Sequence, residues 1–231
     1  MAKVVMISGA SRGIGKAIAQ RLFAGGWHLS LGLRSPCNLE LSNEPEKVLE
    51  CRYEARDHQS AQNWVNNTLR RFGRIDALVN NAGVLRPLYF EGEQDDDDQL
   101  QEMWEVNCLG PWKLSRLVFP HLIKTGGRIV NIVSVSGKRA TVPEESGYCV
   151  SKFAAMGVSE VMRAAGANVG VGVTAICPGW VNTGMVDLKE AKQAVQPTDV
   201  AHTVAHVLSL PSRVVVSEII LDDALPAKLD V

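Results

Sequence analysis

Short apolar runs alternate with longer amphipathic stretches along this chain, and no other feature narrows its fold so far. Residues 4–7, 29–33, 48–53, 75–79, 128–133, 171–176 and 215–221 read as seven strands. They are rich in Val, Ile and Leu with little polar alternation, the pattern of a parallel sheet covered on both faces. Between them, 14–24, 58–71, 97–123, 148–165 and 198–208 read as helices. Ile14, Ile18 and Leu22 mark the apolar stripe of the first, recurring every fourth residue. The alternation predicts an α/β fold, a doubly wound seven-stranded parallel sheet with helices on both faces. At 231 residues, one domain over 1–231 is expected, large enough to bury a sizeable core.

Charge argues weakly against a nucleic-acid partner: 24 Lys and Arg face 25 Asp and Glu. Apolar residues at 46% and charged residues at 21% are ordinary for a globular chain and exclude disorder throughout. No apolar run reaches spanning length, and residues 1–7 run straight into a glycine turn, so they read as a strand rather than a signal peptide. No membrane partner is expected. Cys37, Cys51, Cys108, Cys149 and Cys177 are odd in number and lack C-x-x-C spacing. They read as incidental thiols in a reducing cytoplasm.

Two connections stand out. The link from Leu33 to Val48 must cross between parallel strands, yet Pro36 and Pro45 interrupt it, leaving room for a short or irregular helix at most. Asp95, Asp96, Asp97 and Asp98 precede the third helix; a solvated N-terminus favoured by the helix dipole accounts for them more simply than a metal site. His202 and His206 have metal-pair spacing, but no glutamate follows His202 in the H-E-x-x-H manner. No metal is expected.

The first strand ends in Ser8-Gly9-Ala10-Ser11-Arg12-Gly13-Ile14-Gly15. Three glycines between a strand and a helix let the backbone turn tightly and approach a ligand closely. The helix that begins there offers free N–H groups and a positive dipole end, which suit a pyrophosphate.

This G-x-x-x-G-x-G spacing resembles the cofactor turn of the short-chain dehydrogenase/reductase (SDR) family, whose fold is Rossmann-type. Ser8 stands where that family usually has threonine. Further motifs follow in the family's order. Asn80-Asn81-Ala82-Gly83 matches N-N-A-G, Asn107 lies on the next long helix, and Ser134 closes the fifth strand. Tyr148-x-x-x-Lys152 matches Y-x-x-x-K, and Pro178-Gly179 leads through Val181 to Thr183 like P-G-x-x-x-T. The resemblance implies a dinucleotide held by Gly9, Ser11, Arg12, Gly13, Ile14, Gly15, Arg34, Glu54, Ala55, Asn81, Ala82, Gly83, Tyr148, Lys152, Pro178, Gly179, Val181 and Thr183. It implies catalytic roles for Asn107, Ser134, Tyr148 and Lys152.

The chemistry is consistent with that implication. Tyr148 and Lys152 are i and i+4, on one helix face. A nearby ammonium favours phenolate, so the expectation is a phenol acidified into the range of general acid–base catalysis. Ser134 would hydrogen-bond the substrate oxygen; Ser136 competes for that role, and the interval to Tyr148 is one residue longer than the family's usual one. By resemblance, Lys152 binds the nicotinamide ribose and Asn107 holds a relay water.

Cofactor preference is read from the end of the second strand, where a carboxylate usually selects NAD. Leu33 stands at the expected acidic position, followed by Arg34, with Arg12 in the glycine turn. Two guanidinium groups suit a 2′-phosphate, so NADP(H) is expected in preference to NAD(H). Glu54 stands where the family usually has Asp, beside the adenine.

The substrate pocket is expected from 84–90, Val135, Ser136, 143–146 and 180–188. Leu85, Tyr89, Trp180 and Met185 make it partly apolar; Arg86, Glu144 and Glu145 either add polar contacts or face solvent. A small or medium carbonyl compound or its alcohol is expected as substrate. Trp104, Leu109, Trp112, Phe119, Phe153, Met156 and Met162 exceed what one sheet face needs, and the resemblance implies helix pairing in a homodimer or homotetramer. The leading activity is an NADP(H)-dependent carbonyl reductase or alcohol dehydrogenase. The alternative is a non-catalytic dinucleotide-binding redox sensor, which the presence of both Tyr148 and Lys152 disfavours.

Overall fold

The structure, a computed structural model, describes residues 2–35, 40–91, 97–140, 142–183 and 194–222. Seven strands form one sheet: β1 (Val4–Ser8), β2 (His28–Leu33), β3 (Val48–Arg52), β4 (Ala77–Asn80), β5 (Arg128–Ile132), β6 (Gly172–Pro178) and β7 (Glu218–Leu221). Their order is β3-β2-β1-β4-β5-β6-β7, and every pairing is parallel. Strand order reverses at β1, where β2 and β4 diverge to opposite sides. In open sheets of this kind, ligands bind outside the strand C-termini at that reversal.

Helices α1 (Gly13–Ala24) and α6 (Pro197–Ser209) cover one face. Ile18, Leu22, Val200 and Val204 pack there against Val5, Ile7 and Leu31. Helices α2 (His58–Phe72), α4 (Gly110–Thr125) and α5 (Ser146–Ala167) cover the other, with Trp64, Leu114, Val118 and Met162 against Met6, Leu78 and Ile129. Each strand of the sheet's centre is therefore buried twice, which is why its residues do not alternate with polar ones. Asp57 caps α2 by accepting the Gln59 and Ser60 N–H bonds, and Gly73 ends it in the left-handed region at φ 74°.

Three local readings need correction. The stretch 97–123 is not one regular helix. It comprises α3 (Asp97–Trp104), a π-helical turn over Glu105–Leu109, and α4. Pro111 has no N–H with which to close the regular bond to the Asn107 carbonyl, so the chain widens there. The last strand is shorter than 215–221 and begins at Glu218, because β6 offers pairing partners only to Glu218–Leu221. Met156 and Met162 belong to the core, whereas Trp104 (41% exposed) and Phe153 (47%) face outward.

Between β2 and β3 the described residues hold a single 3₁₀ turn, Glu40–Asn43, as the prolines predicted. Asp97 and Asp98 form the first turn of α3, where the dipole favours them. Cys37, Asp95, Asp96, Met185 and Leu188 lie outside the described residues. No helix among the described residues is long and apolar enough to cross a membrane.

Candidate active site

The strand C-termini open into a cleft of about 480 Å³. Every residue assigned from the sequence to cofactor or catalysis lines it, except Gly15 and Asn107. Those two lie just behind the wall.

The glycine turn is built by close backbone approach. Gly9 sits at φ +68°, and a Cβ on it would stand 2.9 Å from the Ala82 Cα. A Cβ on Gly15 would stand 2.3 Å from the Gly9 carbonyl oxygen and 2.5 Å from Asn81 Nδ2. Ser8 ties this turn to the segment after β4: its Oγ accepts from the Asn81 and Ala82 N–H groups, each at 3.0 Å. Asn81 Nδ2 returns bonds to the Ser8 and Gly9 carbonyls, both at 3.0 Å. The serine hydroxyl and the Asn-Asn-Ala-Gly segment thus form one rigid floor. Gly15→Ala is expected to destabilise the protein by about 1–3 kcal/mol and to weaken dinucleotide binding; denaturant unfolding and a fluorescence titration measure the two effects.

Asn107 is 2% exposed, and both its amide oxygen and its amide nitrogen are engaged. Oδ1 accepts from the Val84 N–H at 2.9 Å, and Nδ2 donates to the Val84 carbonyl at 2.8 Å and to Ser151 Oγ at 3.0 Å. Its side chain therefore clamps the Gly83–Val84 turn from the π-helical segment. That clamp holds the turn near Lys152, whose Nζ lies 3.7 Å from where a Cβ on Gly83 would be.

Ser134 caps a 3₁₀ turn over Val135–Gly137, with Oγ accepting from the Ser136 N–H at 3.0 Å. Its hydroxyl is also hydrogen-bonded to the Tyr148 phenol, an interaction that favours the phenolate. Lys152, 6% exposed, sits with Nζ 5.4 Å from the Tyr148 ring centroid and donates to the Ile132 carbonyl at 3.3 Å. Serine, tyrosine and lysine thus converge on one wall of the cleft.

The electrostatics differ from the charge-proximity argument. Burial pushes the Tyr148 phenol well above its ordinary range, and the Glu145 carboxylate reinforces that. Burial also lowers Lys152 to about 8. The expectation of an acidified phenol is thus corrected for this state. Desolvation penalises both charged forms and is the largest cause of each shift.

Glu145 is the residue that sequence reasoning left undecided. It immediately precedes α5, three residues before Tyr148, and is 8% exposed. It lines the cleft, and the Ser136 hydroxyl donates to it. Positions 145, 148 and 152 share one helix face, so the i, i+3, i+7 spacing carried the signal. Arg86, by contrast, is turned to Glu102 in a two-pronged ion pair, at 2.8 and 3.1 Å. Leu33 is buried in the core, and the rim beyond it is formed by Arg34 and Ser35.

A dinucleotide fits this site. The glycine turn is a cradle that side chains would fill, and Arg12 and Arg34 line the cleft as exposed guanidinium groups. Tyr148 and Lys152 lie in the same continuous cleft.

The chain matches the family model described as "short chain dehydrogenase" over residues 3–194. It is 39% identical over 216 residues to an agropine synthesis reductase of Rhizobium rhizogenes, covering 91% of this chain and 50% of that protein. The chain thus spans about half the length of that relative. It is 30% identical to human 15-hydroxyprostaglandin dehydrogenase [NAD(+)], covering 83% of this chain and 73% of that one. An alcohol dehydrogenase from the archaeon Thermococcus sibiricus, solved with 5-hydroxy-NADP, superposes with a TM-score of 0.86 at 32% identity and 96% coverage of each chain. Sequence, sheet order and cleft agree: this chain belongs to the short-chain dehydrogenase family of oxidoreductases.

Proposed function

We propose that the protein interconverts a small or medium carbonyl compound and its alcohol, using NADP(H), with Tyr148 as general acid and base. The observation that carries this reading is the convergence of Ser134, Tyr148 and Lys152 on the wall of the cleft that the glycine turn opens into.

When bound, the nicotinamide supplies or accepts the hydride exchanged with the substrate carbon. The protein's own groups handle the oxygen and its proton. The Ser134 hydroxyl, already directed at the Tyr148 oxygen, is placed to hydrogen-bond the substrate oxygen beside it. Tyr148 holds its proton at neutral pH as an ordinary phenol does, and burial and Glu145 disfavour the phenolate further. The resting site is therefore loaded as an acid, ready to protonate an oxygen that gains charge during reduction. Lys152 then stabilises the phenolate left behind, in a setting dry enough for that attraction to be strong. In the oxidative direction the same phenolate takes the alcohol proton.

Arg12 and Arg34 support the NADP(H) preference. Both are exposed and both line the cleft, and neither makes an ion pair among the described residues. A 2′-phosphate would satisfy both through charge-assisted bonds. Arg34→Asp is expected to reverse the preference, with NADPH affinity falling about tenfold or more and NADH affinity unharmed. Parallel titrations with the two dinucleotides measure it; an unchanged ratio counts against the assignment.

The outward Val150, Phe153 and Val161 of α5 support pairing between copies in a homodimer or homotetramer, which light scattering tests. The four described cysteines are buried and form no disulfide with one another, in keeping with a reducing cytoplasm. The activity itself is tested by following NADPH consumption with a panel of ketones.

A further inference from the structure

A carboxylate that is more than nine-tenths buried in a reaction cleft needs an explanation. Glu145 has given up most of its water, and burial and neighbouring Glu144 both disfavour its charge. No Lys or Arg is ion-paired to it among the described residues. The Arg86 guanidinium, two residues before the Leu88 that bridges to Glu145, is spent on Glu102. Among the described residues, the side-chain hydrogen bond that supports the Glu145 carboxylate comes from the Ser136 hydroxyl. An ionised carboxylate offers about four acceptor sites, so one hydroxyl leaves most of its capacity open. It is not used to cap α5, since it makes no side-chain bond to that helix's first turn.

Its position is specific. The Ser136 N–H bonds Ser134 Oγ at 3.0 Å, and the Ser136 hydroxyl bonds Glu145. Glu145 is therefore one residue removed from the hydroxyl that receives the substrate oxygen. Neighbouring Glu144 adds negative charge beside Glu145. An anionic substituent would be repelled there. A cation would gain a charge-assisted bond with a carboxylate that otherwise stays poorly satisfied.

Resting on the oxidoreductase reading above, we infer that Glu145 determines substrate specificity, selecting carbonyl compounds and alcohols that carry a protonated amine a few bonds from the reacting carbon. The reaction at the carbonyl is unchanged; the amine is a recognition handle held by the carboxylate.

The test uses sets of matched compounds: a short amino ketone, the hydroxy ketone of the same skeleton, and the neutral ketone with a methyl group in place of the amine. Wild type is expected to favour the amino ketone over its neutral isostere about ten- to a hundredfold in kcat/KM. Glu145→Gln is expected to collapse that ratio to within about threefold, and Glu145→Asp to restore part of it. Cofactor affinity and thermal midpoint check that each variant folds.

A second readout does not depend on turnover. Calorimetry on the dinucleotide-loaded protein should show the amino alcohol binding at least about tenfold tighter than its methyl isostere, a margin that Glu145→Gln removes. Equal affinities, or a preference that survives Glu145→Gln, would overturn the inference even in an active enzyme. So would a stronger preference for the hydroxy compound, which would mean a hydrogen-bond donor and not a cation is read. Conversely, a Glu145-dependent preference for the amine without turnover of any ketone would uphold this inference and sink the catalytic one.

Discussion

Tyr148→Phe will lower kcat/KM by about 10²–10⁴-fold while leaving dinucleotide affinity within a few fold. The phenylalanine ring keeps the volume of the buried aromatic and removes only the oxygen. Ser134 Oγ retains the Ser136 N–H bond, so the 3₁₀ turn that carries it stays in place. On the proposed reading, what disappears is the proton donor for the substrate oxygen. Steady-state rates with NADPH and a ketone, beside a binding titration, separate the two effects. A variant that turns over at more than a tenth of the wild-type rate would mean that another group moves the proton. A variant that fails to bind dinucleotide would mean that Tyr148 is mainly a structural part of the cleft.

A less intuitive result is expected for Lys152. Its folded pKa is about 8, against 10.5 in the unfolded chain, because burial opposes its charge. Below pH 8 both states carry the proton, and the folded state bears the full cost of a buried ammonium. Between 8 and 10.5 the folded lysine is neutral while the unfolded one is still charged, so the cost is relieved as pH rises. The shift corresponds to about 3 kcal/mol, and the lost bond from Nζ to the Ile132 carbonyl offsets part of it. Lys152→Met should therefore make the cofactor-free protein about 2 kcal/mol more stable at pH 7, with no turnover. The gain should shrink as pH approaches 10. Above that, Tyr148 complicates the comparison, since its raised folded value destabilises the fold once the unfolded phenol ionises. Urea unfolding of both proteins at pH 7 and 9.5 measures the effect. A variant less stable than wild type at pH 7 would show that the amine is already satisfied in the empty cleft.

These two results express one arrangement. The site stores an uncharged phenol and a reluctant cation side by side, and both costs come from the same burial. On the proposed reading, stability given up at Lys152 is the counterpart of the attraction it would exert on a Tyr148 phenolate.

How much of this was legible in the chain varies with the length scale of the interaction. Strands such as β1 and β6 announced themselves because burial on both faces leaves no polar alternation to confuse them. Likewise, the glycine turn was legible because only residues without a Cβ fit where Gly15 meets the Gly9 carbonyl. Edge strand β7 was overextended, since the apolar run 215–221 does not reveal where β6 stops offering partners. The widened turn at Glu105–Leu109 keeps an apolar spacing close to that of a regular helix, and only Pro111 betrays it. The Asn107 clamp on Val84 was hidden, because sequence separation says nothing of which backbone a buried amide will find. Tyr148 and Lys152 were legible as a pair, but not the direction of their pKa shifts. Charge proximity can be read from i, i+4 spacing, whereas desolvation depends on everything packed around the pair. Glu145 shows the same limit: its spacing put it on the reactive face, and only the fold showed it buried there.

The central claim is that this cleft moves a hydride between a dinucleotide and a carbonyl carbon under the control of Tyr148. The most direct measurement supplies NADPH deuterated at its reactive carbon, together with a panel of ketones, and follows the label by mass spectrometry. Deuterium is predicted on the carbinol carbon of at least one product with the wild-type protein, appearing at least about a hundredfold more slowly with Tyr148→Phe. Tight dinucleotide binding with no label reaching any product would contradict the account and leave a protein that binds the cofactor without using it.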